Sequence, residues 1–177
     1  ISARVRIDRP RDFIPPRTHM FIRVELNGKS WLTDVGVGSL SLTQALELDC
    51  DKAQMTPHEA RRITREGMLL FHQAKLGEVW SDICEFTLEE MPPIDREIGN
   101  WFTSAHPNSH FKNRLIVARA GEDGSRFTLL NDELKIRSQN GEAQVTKIES
   151  AVELLLVLDE YFGLCFPKGT HFGKFPK

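Results

Sequence analysis

The sequence predicts an α+β fold, with a β-barrel-like domain over residues 1–90 and a smaller sheet-plus-helix domain over residues 91–177 that forms a lid. Three observations indicate this fold class. Short apolar segments of strand length alternate with glycine and asparagine turns through most of the chain. The dipeptide Asn27-Gly28 joins two of these segments and is the strongest short-range signal for a hairpin. One long stretch, residues 151–162, repeats its apolar side chains at helical spacing.

The first domain is predicted to consist of strands. Val5 and Ile7 alternate with arginines at the start of the chain, which is typical of a half-buried strand. Three prolines between residues 10 and 16 then favour an extended connection. Residues 39–58 are expected to form a loop. Strands are predicted at 1–7, 20–26, 29–35, 60–66, 68–76 and 78–86, with glycines at the turns of the last three.

The second domain is predicted to begin at the prolines after Met91. A short helix over 95–101 and a polar loop over 103–109 are expected first. The final helix is predicted to follow Ser150 and to end at Gly163, because glycine readily adopts the left-handed conformation that ends helices. Four strands lie between them, at 113–120, 125–130, 133–138 and 142–148, and the tail 164–177 is expected to be irregular.

Composition excludes several classes of protein. Hydrophobic residues make up 40% and charged residues 27% of the chain, and its formal net charge is −2. The basic residues are scattered, so no nucleic-acid partner is expected, and the run of arginines from Arg61 to Arg65 is interpreted as the solvated face of a strand. No apolar run approaches the roughly 20 residues of a membrane helix, so no membrane partner is expected.

The cysteines and histidines give no sign of a metal centre. Cys50, Cys84 and Cys165 are widely spaced and form no C-x-x-C pair, which argues against a disulfide framework or a zinc site. We therefore predict no metal, and a reducing, cytoplasmic location. His72 is expected to be exposed on its strand.

The hairpin at Asn27-Gly28 predicts which side chains share a face. With these two residues in the turn, counting outward along both strands brings Phe21 opposite Asp34. Side chains alternate between faces, so His19 lies on the face of Asp34 and diagonal to it. Diagonal neighbours are about 7–8 Å apart at the backbone, which an imidazole and a carboxylate can bridge.

A carboxylate in that position can orient a catalytic imidazole. Asp34 would accept the Nδ1 proton of His19, fix the tautomer and leave Nε2 free to activate a nucleophile. The same two side chains could instead pair only to satisfy each other in a partly buried sheet. On spacing alone, both interpretations stay open.

Three longer motifs favour the catalytic interpretation. Arg17-Thr18-His19-Met20, the segment from Trp31 to Gly38 (WLTDVGVG) and the segment from Asn100 to Phe111 (NWFTSAHPNSHF) occur in this order. Together they resemble the arylamine N-acetyltransferase family, in which a T-H histidine opens one strand and a D-V-G-F-G aspartate closes the next. The third segment is similar to the N-W-x-T-S-x-H-P-x-S-x-F pattern of that family. The similarity runs through nearly the whole chain, to about residue 165.

The resemblance implies a ping-pong acetyl transfer from acetyl-coenzyme A to an arylamine or arylhydrazine nitrogen, through an acetyl-cysteine. It implies a Cys-His-Asp triad laid out as in cysteine proteases, with His19 as the base that holds the cysteine as a thiolate and Asp34 as its orienting group. It also assigns six positions to the coenzyme and substrate cleft: Thr18, Gly36, Val37, Gly38, Phe102 and Asn108.

Two departures from the family pattern matter. Val37 stands where the family has phenylalanine, which we expect to widen the acceptor side of the cleft. The family's nucleophile lies in an R-G-G-x-C-x-E-x-N segment of a helical domain, and residues 1–177 contain no such segment. We therefore expect this chain to be a fragment, inactive alone, whose missing N-terminal helical domain carries the cysteine. The cysteines present lie in a loop, a strand and an apolar tail, without the cationic surroundings that activate a thiol.

Two other functions remain open on these residues. An amide synthase of the same family would use the same triad to close a macrolactam from a thioester. A non-catalytic binding module could have kept the fold and lost the nucleophile. An R-G-G-x-C segment upstream of Ile1 would favour an enzyme, and its absence would favour the binding module.

Overall fold

The computed structural model of the protein describes residues 1–172. Its chain divides into two compact units, Ile1–Lys112 and Asn113–Lys177. The elements run in the order β1 Ser2–Val5, β2 His19–Met20, β3 Ile22–Leu26, β4 Lys29–Thr33, β5 Leu46–Glu47, β6 Arg61–Glu66, β7 Leu69–Leu76, β8 Val79–Phe86, α1 Pro93–Ala105, α2 His110–Asn113, β9 Ile116–Ala120, β10 Arg126–Leu130, β11 Glu133–Arg137, β12 Ala143–Lys147 and α3 Ala151–Phe162. The mixture of sheets and helices confirms the predicted α+β class.

The first unit contains two antiparallel sheets. A five-stranded sheet has the order β2-β1-β8-β7-β6, and a three-stranded sheet has the order β3-β4-β5. Gly67 and Gly77 adopt positive φ in the tight turns of β6-β7-β8, as glycine readily does. Over residues 1–172 these strands pair into two separate sheets, and no strand pairing closes them into a barrel.

The strand predicted over residues 20–26 is split between the two sheets. His19 pairs with Ala3 of β1, whereas Ile22 pairs with Thr33 of β4. Phe21 lies at the junction, where its amide donates to the carbonyl of Ile1 at 2.8 Å. Its ring is only 1% exposed, so burial of this side chain in the core favours the change of sheet.

The predicted hairpin is confirmed. Asn27 and Gly28 both have positive φ, as a type I′ turn requires, and Leu26 pairs with Lys29. The region predicted as a loop contains the short strand β5, whose Glu47 backbone exchanges two hydrogen bonds with the side-chain amide of Gln54. A strand of two residues is too short to produce a periodic pattern, so the sequence did not reveal it.

The boundary between the units lies later than predicted. The expected second domain began at residue 91, but α1 belongs to the first unit, which ends at Lys112. Gly99 is the buried residue of α1, and a methyl group built on it would lie 3.9 Å from the Cα of Thr18. Close packing of this helix on the chain before β2 therefore accounts for the difference.

The second unit is a four-stranded meander, β12-β11-β10-β9, with α3. The hydroxyl of Ser150 accepts a hydrogen bond from the amide of Glu153 and caps the start of α3. Gly163, in the left-handed conformation, ends the helix as predicted. One core joins sheet and helix, and it contains Leu129, Leu134, Ile148, Leu154, Leu158 and Phe162.

Of the predicted irregular tail, residues 173–177 lie outside the described part of the chain. Over residues 1–172, no helix combines the length and the apolar character that a membrane crossing needs.

Candidate active site

The predicted contact between His19 and Asp34 is present. Nε2 of His19 lies 3.0 Å from Oδ2 of Asp34, a hydrogen-bond distance. The histidine comes from β2 and the aspartate directly follows β4, so the pair bridges the two sheets of the first unit. The Asp34 side chain is 1% exposed and that of His19 is 12% exposed. The carboxylate is therefore shielded, while the imidazole keeps a narrow contact with the surface.

The nitrogen that makes this contact differs from the expected one. We expected Nδ1 of His19 to bond the carboxylate, but Nε2 does so. Nε2 lies farther from the backbone than Nδ1, and it reaches an aspartate that belongs to a different sheet. Among residues 1–172 we find no hydrogen-bond partner for Nδ1. Nδ1 is therefore the nitrogen left to exchange a proton with a reacting group.

The carboxylate of Asp34 is fixed by a second hydrogen bond. The amide of Gly36 donates to Oδ1 at 2.9 Å, in the local turn that aspartate side chains often make two residues on. Both oxygens of Asp34 are thus engaged, and the carboxylate cannot turn away from His19 without losing one of them. This buried, doubly bonded carboxylate is suited to holding one tautomer of the imidazole.

Glycine at position 36 leaves one edge of the imidazole open. A methyl group built on Gly36 would lie 3.7 Å from Cε1 of His19, the ring atom between the two nitrogens. Larger side chains there would cover the edge that leads to Nδ1. Gly38 has a φ of +88°, and nothing lies within 4 Å of the methyl group it lacks. The space beside this turn is open.

The other assigned cleft residues surround α1 or the core. Thr18 lies against Gly99 of α1, and Phe102 is one helical turn further along the same face. Phe102 stacks on His106 with the ring centroids 4.6 Å apart. The amide of Asn108 donates to Nδ1 of His106, and the Asn108 side chain is exposed. Thr18 thus lies against the helix that carries Phe102, whereas among residues 1–172 no hydrogen bond or ring contact joins Asn108 to His19.

Val37 is half-buried and packs against the core of the first unit. Part of its side chain is therefore used in the core, which limits how much of it can line a cleft.

Two side chains beneath the site were wrongly expected at the surface. Arg61 and His72 are both 0% exposed, and Nη1 of Arg61 lies 3.1 Å from Nε2 of His72. Burial, the Arg61 charge and His19 lower the pKa of His72 well below its usual value. Their spacing gave a usable signal, because Arg61 and His72 come at nearly diagonal positions of a tight hairpin.

None of the three cysteines shows the features of an activated thiol. Cys84 is 0% exposed, and burial raises the pKa of its thiol. Cys165 is exposed, and its hydrogen bond to Asp159 raises its thiol pKa as well. Cys50 lies in a loop lining a surface cavity of about 420 Å³ with acidic neighbours Asp49 and Asp51. Within residues 1–172, no three His, Cys, Asp or Glu side chains are grouped so as to hold a metal ion.

Chemically, the pair has the arrangement that a general base and its orienting carboxylate require. His19 can take up a proton at Nδ1 while Asp34 stabilises the imidazolium that results. A catalytic triad would also need a nucleophile beside Nδ1, and the described residues do not place one there. The geometry thus fits two members of a triad.

Comparison with known proteins agrees with this geometry. The family model described as N-acetyltransferase matches residues 1–170. The chain is 32% identical, over 93% of its length, to an arylamine N-acetyltransferase / N-hydroxyarylamine O-acetyltransferase of Salmonella typhimurium, and 33% identical, over 85%, to an arylamine N-acetyltransferase of Mycolicibacterium smegmatis. The matches cover 58% and 55% of those relatives, so the chain spans little more than half their length.

Solved structures give the same result. The arylamine N-acetyltransferase of Mycobacterium marinum in complex with CoA superposes with a TM-score of 0.85 at 32% identity, over 92% of this chain and 60% of that one. The Salmonella typhimurium structure gives a TM-score of 0.83 at 30% identity, over 96% and 62%. The chain therefore belongs to the arylamine N-acetyltransferase family.

Proposed function

We propose that this chain supplies the base and the orienting carboxylate of an enzyme that transfers an acetyl group from acetyl-coenzyme A to an arylamine or arylhydrazine nitrogen. The observation that carries this proposal is the His19–Asp34 pair, bonded through Nε2 at 3.0 Å with Nδ1 left over. Acetyl transfer by a thiol needs such a base, because the thiolate and not the thiol is the nucleophile.

The reaction would proceed in two steps. Nδ1 of His19 takes the proton of a cysteine thiol, and the resulting thiolate attacks the thioester carbonyl of acetyl-coenzyme A. The bond to the coenzyme sulfur breaks, and that sulfur leaves as the thiol with the proton from the imidazolium. The amine nitrogen then attacks the acetyl-cysteine, its proton passes to Nδ1, and the cysteine leaves as thiolate. Asp34 stabilises the imidazolium in both steps.

The cleft beside this pair would hold the substrates. Open space around Gly38 and the uncovered edge of His19 at Gly36 support a bound thioester at this place. The relative from Mycobacterium marinum was solved in complex with CoA, which supports the same ligand here. Thr18, Phe102 and Asn108 would contact coenzyme or substrate, and Val37 would face the acceptor with the exposed part of its side chain.

The cysteine would come from outside residues 1–177. Its source would be an N-terminal helical domain that packs on the first unit. Shielding of Cys84 and the raised thiol pKa of Cys165 support a nucleophile from elsewhere. We expect the assembled enzyme, with its cysteine-protease-like triad, to work in the cytoplasm.

The test is acetylation by the protein expressed from its whole gene. With acetyl-coenzyme A alone, one cysteine outside residues 1–177 should gain an acetyl group, and an added arylamine should then be acetylated. The variant His19→Gln should lose both signals, whereas His110→Gln, which removes an exposed histidine, should keep them. Loading of that cysteine by a thioester-bound acyl chain whose own amine then displaces it as a lactam, with no acetylation of an added arylamine, would indicate an amide synthase. Loading of no acyl group on any cysteine would indicate a binding module and refute the proposal.

A further inference from the structure

Beneath the His19–Asp34 pair lies a second, fully buried pair that the proposed reaction does not use. Arg61 of β6 and His72 of β7 are both 0% exposed, and their nitrogens lie 3.1 Å apart. The Arg61 guanidinium also donates to the Leu40 carbonyl at 2.9 Å and bonds the Glu59 carboxylate. A buried charge is costly to maintain unless it is paired, and Glu59 supplies the opposite charge here.

Arg61 determines which tautomer His72 adopts. A guanidinium can only donate, so Nε2 of His72 must accept, and the ring proton is therefore on Nδ1. That Nδ1 atom is buried and, within residues 1–172, has no hydrogen-bond partner. A buried donor without a partner is destabilising, so hydrogen bonding on the Nδ1 side does not stabilise this orientation of the imidazole, and Arg61 alone holds it by a hydrogen bond. A strand irregularity between His72 and Gln73 lies at the same point, as β-bulges that re-aim a side chain often do.

The ring of Phe21 connects the two histidines. Phe21 meets His19 edge-to-face at 5.1 Å between centroids, and it meets His72 in the same manner at 6.0 Å. The ring of Phe86 packs edge-to-face against the ring of Phe21 as well, with the centroids 5.2 Å apart. Phe21 lies where the chain changes sheet, and these three rings pack against its side chain there.

We propose that His72, oriented by Arg61, is a positioning residue that fixes the imidazole plane of His19 through the ring of Phe21. The plane of His19 decides whether Nε2 points at Asp34 and Nδ1 points at an incoming thiol. His72 supports that plane without touching substrate. This inference rests on the proposed role of His19. Its test therefore measures the geometry of His19 and not turnover, so the inference and the proposed function can fail separately.

The test uses NMR of the protein expressed from its whole gene, with ¹⁵N-labelled histidine. The Nε2-bound proton of His19, held by Asp34, should give a protected resonance in the parent. In His72→Gln, which keeps an acceptor for Arg61 but lacks the ring, that proton should exchange with water roughly two- to tenfold faster, as expected for losing one edge-to-face contact. Phe21→Leu should have the same effect. Leu46→Val, a truncation elsewhere in the same core, should leave the resonance and its exchange unchanged.

A folded His72→Gln chain with the parent resonance and exchange rate would show that His72 merely fills the core. Should His72→Gln not fold, Phe21→Leu decides, because an unchanged His19 resonance in that variant overturns the proposal equally. Faster exchange in Leu46→Val to the same degree would also overturn it, since the effect would then follow from any loss of core packing.

Discussion

At the scale of single residues, the site depends on one buried carboxylate that makes two hydrogen bonds. Asp34 accepts from His19 on one oxygen and from the Gly36 amide on the other. An asparagine fits the same space, but its NH₂ group would face Nε2 and force that nitrogen to accept. The ring proton would then move to Nδ1, the nitrogen that the mechanism needs free.

Asp34→Asn should therefore leave the fold intact and lower acetylation by the whole-gene protein on the order of 10⁴-fold. Steady-state turnover with an arylamine measures this, and the ¹⁵N shifts of His19 should show the change of tautomer in the same variant. Turnover within about threefold of the parent, or an unchanged tautomer, would mean that Asp34 has only a structural role.

His72 should make the chain sensitive to acid. Burial lowers its folded pKa well below 6.5, so the unfolded chain binds a proton between these two values and the folded chain does not. Stability is then complete above about pH 6.5 and falls as the pH drops below it, by up to about 1.4 kcal/mol per pH unit. Urea unfolding from pH 7 to pH 5 should show a shallower pH slope in His72→Gln than in the parent. His110→Gln should keep the parent slope, and equal slopes in all three would contradict the assignment.

The sequence revealed His19 and Asp34 but not the pair beneath them. Counting residues outward from the turn predicted the contact between His19 and Asp34 correctly, because Asn27-Gly28 fixes the register of the two strands that it joins. It missed the change of sheet at Phe21, which burial of that one side chain favours, and it named the wrong ring nitrogen of His19. Arg61 and His72 looked like surface residues, since charged and polar side chains are rarely fully buried unless they are paired with each other.

At the scale of elements, most strands and helices could be predicted from local sequence signals. Glycine and asparagine turns placed the strands of both units to within a few residues, and the Ser150 and Gly163 signals bounded α3 correctly. α1 was predicted too short, at 95–101 against Pro93–Ala105 observed. Its polar end, Thr103 to Ala105, resembles a loop in composition, and the packing of Gly99 on Thr18 cannot be read from local pattern.

The cap of α3 gives an element-scale prediction. Ser150→Ala removes the acceptor for the Glu153 amide, which costs about 1 kcal/mol at a helix start. Amide hydrogen exchange in the first turns of α3 should therefore become about fivefold faster. Ser150→Thr keeps a hydroxyl and should stay near the parent. Equal exchange in the alanine and threonine variants would show that packing alone holds this helix.

At the scale of the whole molecule, the chain has the architecture of its family but covers little more than half the length of the relatives it matches. The hydrogen-bonded pair of His19 and Asp34 is present, while the cysteines available are shielded, exposed with a raised thiol pKa, or held in an acidic loop. The family could be inferred from three motifs in order. The domain boundary could not, because it depends on which unit α1 packs against.

The central claim is that the nucleophilic cysteine lies outside residues 1–177. Intact-mass measurement after incubation with acetyl-coenzyme A tests this claim most directly. The 177-residue chain alone should gain no acetyl-cysteine. The protein expressed from its whole gene should gain one, on a cysteine outside residues 1–177, and His19→Gln should abolish it. Acetylation of the isolated chain at Cys50, Cys84 or Cys165, located by peptide mapping, would contradict the proposed origin of the nucleophile.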